Sequence, residues 1–92
     1  LNQELSRMRK LIDKIDEQMV DLLHSRNDLV KKIADFKFKN NITIFQLERW
    51  YEILKLRKRQ AGKLGIDNKM IVDIFEVIHK YSIITQTKIM KK

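Results

Sequence analysis

The chain lacks cysteine and proline altogether, and its 92 residues include only two glycines, Gly62 and Gly65. Without cysteine there are no disulfides, no thiol nucleophile and no cysteine-based zinc site. With so few turn formers, a sheet domain of this size would struggle to make its tight reversals. A helical domain with two connections has no such difficulty. The two histidines, His24 and His79, are too few for a histidine metal cluster unless carboxylates join them. No metal or cofactor is therefore expected. No signal peptide is visible at Leu1, and the longest apolar runs are two or three residues. A bilayer span needs roughly 20, so no membrane partner is expected and a cytoplasmic location is.

What is present is charge and helical periodicity. The formal net charge of +8 favours an anionic partner. The 14 lysines, set beside 6 arginines and 13 isoleucines, fit a genome-wide skew as well as selection for binding. The arginines are the more informative cations.

Three helical segments cover the chain, about 4–40, 46–63 and 68–90, as one all-α domain over 1–92. The first carries an apolar stripe at Leu5, Met8, Ile12, Ile15, Met19, Leu22, Leu29, Ile33 and Phe36, with steps of three and four. It stops at Asn40-Asn41, where asparagine tolerates a left-handed cap. Ile42-Thr43-Ile44 reads as an extended connection. The second segment presents Leu47, Trp50, Tyr51, Leu54 and Ala61 on one face and ends at Gly62 and Gly65. Asp67 is the expected N-cap of the third, which buries Ile71, Ile74, Phe75, Ile78 and Ile89. A first helix of about 36 residues is roughly 54 Å long. A compact monomer of this size is only about 32 Å across. The stripe therefore needs cover, and a second copy related by two-fold symmetry supplies it most simply.

Polar residues interrupt these stripes. The first helix's series reaches Arg26 before resuming at Leu29, and Lys37 borders the same stripe eleven residues on. Arg9 flanks it near the other end. The third stripe runs on through Ser82 and Thr85-Gln86, and Arg49 precedes Trp50 in the second segment. Desolvating an unpaired arginine costs several kcal/mol, and buried amides and hydroxyls need partners. An internal carboxylate could pair with Arg26, but no acid lies on these seams. Several inward cations without an anion expect an anionic ligand, and paired arginines suit carboxylates or phosphates. With no glycine-rich phosphate loop, a small organic polycarboxylate fits best.

The same residues resemble the all-helical chorismate mutases over nearly the whole chain. Met8–Gln18 is similar to the family's first-helix signature. Leu22-Leu-His-Ser-Arg26, Lys37, Leu47-Glu48-Arg49 and Ser82-Ile-Ile-Thr-Gln86 follow in family order and spacing. The resemblance implies an isomerase of aromatic amino acid biosynthesis on the shikimate route. It converts chorismate to prephenate without a cofactor and forms an intertwined homodimer. It implies that Arg26 and a partner-contributed Arg9 hold the two carboxylates, with Arg49 assisting. Lys37 and Gln86 donate to the ether oxygen, and Ser82 supports a carboxylate. Many relatives carry Glu directly after the second-helix arginine. Here Trp50 stands there, with Gln46 where an acid often precedes it, leaving the amide of Gln46 to meet the ring hydroxyl. The isochorismate-pyruvate lyases of the same fold share that lack and are the alternative enzyme. The Arg49-Trp50 pair also resembles mutase domains fused to DAHP synthase, and a chain that does not open on Met is expected to be the C-terminal part of such a fusion. A different class, a basic nucleic-acid-binding or dimerisation module, would use Lys55-Leu-Arg-Lys-Arg59. That cluster reads better as a solvated helix face, and no nucleic acid is expected.

Overall fold

The computed structural model describes residues 1–91 and contains three helices, α1 (Asn2–Lys39), α2 (Leu47–Leu64) and α3 (Asn68–Met90). Each boundary has a local cause. α1 starts two residues before its periodicity predicts, and nothing within it breaks a helix. At its end the Asn40 backbone N–H and side-chain amide both donate to the Phe36 carbonyl, at 3.1 and 2.8 Å. Asn41 then takes a positive φ of 54°, and Ile42 N–H donates to the Lys37 carbonyl at 2.9 Å. α2 closes the same way. Gly65 adopts φ 71°, a conformation with little cost for glycine, and Ile66 N–H donates to the Ala61 carbonyl at 2.9 Å. Asp67 caps α3, its carboxylate accepting from the backbone N–H of Lys69 and Met70 at 2.7 and 3.4 Å.

α3 is the shared element, packing against α1 on one side and α2 on the other. The interior is correspondingly small. Among the described residues only Val30, Ala34 and Ala61 are buried apolar side chains, and the buried polar ones are Ser82 and Gln86. The third-helix face is less covered than its pattern predicts. Ile71, Phe75, Ile78 and Ile89 are half-buried and Ile74 is exposed. Leu47 and Tyr51 of α2 are exposed as well. The reason is shape. The chain measures 59 × 27 × 14 Å with a radius of gyration of 17.0 Å, against about 12 Å for a compact domain of this length. α1 runs past its neighbours, and residues 1–25 are all exposed, the apolar stripe included.

Candidate active site

The polar residues that break the stripes meet in one place. α1 contributes Arg26 and Lys37, three turns apart and so on one face. α3 contributes Ser82 and Gln86, one turn apart. Arg26 Nη1 donates to Ser82 Oγ at 2.7 Å. The Ser82 hydroxyl in turn donates to the Ile78 carbonyl of its own helix at 3.0 Å. Lys37 Nζ donates to Gln86 Oε1 at 2.9 Å and to the Ile44 carbonyl of the connection at 2.7 Å. These bonds fix orientations. Gln86 accepts through its oxygen, so its NH₂ is the group left to donate. An ammonium has three N–H bonds, and two of those on Lys37 are used.

Around them lies a cavity of about 330 Å³, lined by Arg26, Lys37, Ser82 and Gln86, by Gln46, Arg49 and Trp50 from the start of α2, and by His79. Apolar walls come from Val30, Ile33, Ile44, Ile53 and Ile83. No carboxylate lines it. Burial lowers the affinity of Arg26 for its proton, and the charge of Arg49 adds to the effect. Burial does the same to Lys37. A site that strains its own cations in this way gains by taking an anion.

Three predicted residues sit differently from the rest. Arg49 lines the cavity but is exposed and ion-paired with Glu52 on the next turn of α2. Arg9 is exposed, and seventeen residues of helix, about 26 Å at 1.5 Å each, separate it from Arg26. It cannot reach the cavity of its own chain. Gln46 occupies the N-cap position of α2 without a side-chain capping bond and lies exposed at the cavity edge.

His79 is a lining residue that the stripe analysis passes over. Its ring stacks on Trp50 with centroids 4.2 Å apart and 19° between planes, and meets the edge of Phe45 at 5.5 Å. The signal was its spacing: His79, Ser82 and Gln86 stand at i, i+3 and i+7 on α3.

Residues 8–87 match the family model of chorismate mutase type II. The chain belongs to that family. Its relatives include a bifunctional chorismate mutase/prephenate dehydratase of Buchnera aphidicola, 35% identical over 91 residues that make up 99% of this chain and 24% of the relative. A chorismate mutase of Methanocaldococcus jannaschii is 28% identical over 80 residues, 87% of this chain and 81% of the relative. A 4-amino-4-deoxychorismate mutase of Streptomyces venezuelae is 29% identical over 75 residues, 82% and 73% of the two chains. The chain spans about a quarter of the length of the Buchnera protein. The second activity in that protein's name is prephenate dehydratase, not the DAHP synthase expected from the Arg49-Trp50 pair. Among the described residues no helix is long and apolar enough to cross a membrane, and no group of side chains has the makings of a metal site.

Proposed function

We propose that residues 1–92 form a mutase domain that rearranges chorismate to prephenate, in a homodimer whose sites are completed across the interface. The observation that carries this reading is the convergence of Arg26, Lys37, Ser82 and Gln86 on one cavity without a carboxylate. The reaction is a [3,3] rearrangement and needs no nucleophile, proton shuttle or metal. It needs the dianion held in its compact conformer, which is a positioning effect. It also needs fixed donors where charge grows on the ether oxygen as the C–O bond breaks.

Arg26 takes one carboxylate, held in direction by Ser82, which supports that carboxylate through the guanidinium. Arg49 exchanges Glu52 for the substrate and assists. The second carboxylate is met by Arg9 of the other copy, since Arg9 lies too far along α1 to serve its own. The third N–H of Lys37 and the NH₂ of Gln86 donate to the ether oxygen, and the amide of Gln46 closes the cavity edge. A cytoplasmic location and a fused second activity belong to the same proposal. The Buchnera relative's name supports prephenate dehydratase as that activity, and DAHP synthase rests on Arg49-Trp50 alone.

The test is direct. Loss of chorismate absorbance with formation of prephenate is the expected result. Pyruvate released from isochorismate, with chorismate untouched, would give the lyase instead. Inertness toward both would refute the enzymatic reading.

A further inference from the structure

We infer that His79 is the residue that binds the ring hydroxyl of the substrate. The inference rests on the mutase reading above and adds a residue to it. Chorismate offers four polar groups: two carboxylates, the ether oxygen and a ring hydroxyl. The arginines answer the carboxylates, and Lys37 with Gln86 answers the ether. What remains unpaired on the substrate is the hydroxyl. What remain among the half-buried lining groups are the imidazole of His79 and the indole N–H of Trp50, of which the indole can only donate.

Three features of the imidazole suit the task. The ring is held in place, lying flat on Trp50 and against the edge of Phe45, so little freedom is lost when a ligand binds. Among the described residues no buried side-chain nitrogen or oxygen lacks a partner, so ring nitrogens with no hydrogen bond of their own are accessible to an incoming ligand, on a residue that lines the cavity. A neutral imidazole also both donates and accepts, as a hydroxyl does. The surroundings keep it neutral. Burial lowers its proton affinity, and the charges of Arg26 and Lys37 lower it further, with Arg49 of α2 lining the same cavity. Gln46 is the competing group, but it is exposed and makes no side-chain capping bond, so binding through it would have to fix a side chain that nothing in the fold holds.

The experiment pairs a change in the protein with a change in the substrate, so that only a direct contact gives coupling. His79→Phe keeps the stack on Trp50 and removes both nitrogens. kcat and KM are measured for wild type, His79→Phe and Gln46→Ala, on chorismate and on the analogue with hydrogen in place of the hydroxyl. On chorismate His79→Phe should lower kcat/KM about tenfold, mainly through KM, the worth of one neutral hydrogen bond. On the deoxy analogue it should fall within about twofold of wild type. His79→Gln, which keeps a donor and an acceptor, should recover part of the loss on chorismate. Equal losses on both substrates would make His79 a structural residue and overturn the inference. So would an unchanged kcat/KM on chorismate, or coupling to the hydroxyl that appears in Gln46→Ala instead. If His79→Phe loses its helical circular dichroism, His79→Leu is read by the same criteria. A wild-type protein inert toward chorismate would sink the mutase reading first and this inference with it, whereas an active wild type without coupling sinks this inference alone.

Discussion

Lys37 shows how the site's chemistry is set one side chain at a time. Its ammonium is oriented by the Ile44 carbonyl and Gln86 Oε1, and burial makes it easier to deprotonate than a free lysine. In the proposed mechanism, removing it or Arg26 takes away a donor aimed at developing or fixed charge. Lys37→Ala and Arg26→Ala should each cut turnover at least about 100-fold, the scale of one lost charge-stabilising donor, while the helical spectrum is kept. If Lys37 donates to the ether oxygen as proposed, kcat/KM of the free enzyme should already fall as pH rises below 10.5, because the folded-state value for Lys37 is lowered and only the ammonium can donate there. His79 carries the opposite consequence for acid. Its value lies below 6.5 in the folded chain, so the unfolded chain takes up that proton first. The His79 contribution is intact above pH 6.5 and is lost as pH falls from there through the lowered folded value, below which it levels off. An NMR titration of the His79 ring should show a midpoint below 6.5. Gln86→Glu would set a carboxylate against Lys37, engage its ammonium, and oppose the growing oxyanion. Its turnover should recover only as pH falls and the acid protonates. Most of this site could be read from the sequence, since a polar residue on an apolar stripe marks a position facing the interior. The carbonyl of Ile44 could not, because a backbone group leaves no trace in residue type. His79 escapes because the apolar stripe runs through its neighbour Ile78. The two differ only by where α2 lies.

At the level of the helices, the two chain reversals depend on few residues. Asp67 satisfies two of the unpaired N–H groups that open α3. Asp67→Ala should cost about 1 kcal/mol, read as a lower urea midpoint with an unchanged slope. Gln46 at the start of α2 makes no such bond, so Gln46→Ala should leave the midpoint near that of the wild type. These stops were visible in advance because each has a local chemical cause: paired asparagines, a glycine at positive φ, an aspartate cap. The packing was less visible. The sequence periodicity places Ile74 and Tyr51 toward an interior, yet both are exposed. Periodicity says which face is apolar and not which molecule covers it.

The whole chain has too much surface for its mass. Its accessible area is 7844 Å², whereas a compact monomer of 11.1 kDa would expose about 5,700 Å². The excess, roughly 2,100 Å² per chain, is of the size buried in obligate interfaces. It lies where Leu5, Met8, Ile12, Ile15 and Met19 stand exposed along α1. Sedimentation at micromolar concentration should therefore give about twice 11.1 kDa, and a helical monomer would defeat the shared-site proposal. The stricter test uses the length of α1. If Arg9 serves the other copy's cavity, Arg9→Ala and Arg26→Ala damage different parts of a shared site. A mixed dimer then holds one cavity with both lesions and one with neither. Combining the two inactive variants under conditions of subunit exchange should restore up to about half of the wild-type activity per mixed dimer, since one of two sites is whole. If tagged heterodimers are isolated and remain inactive, Arg9 does not act across the interface. The second carboxylate must then be held by residues of the same chain, and Arg49 is the cation nearest to hand.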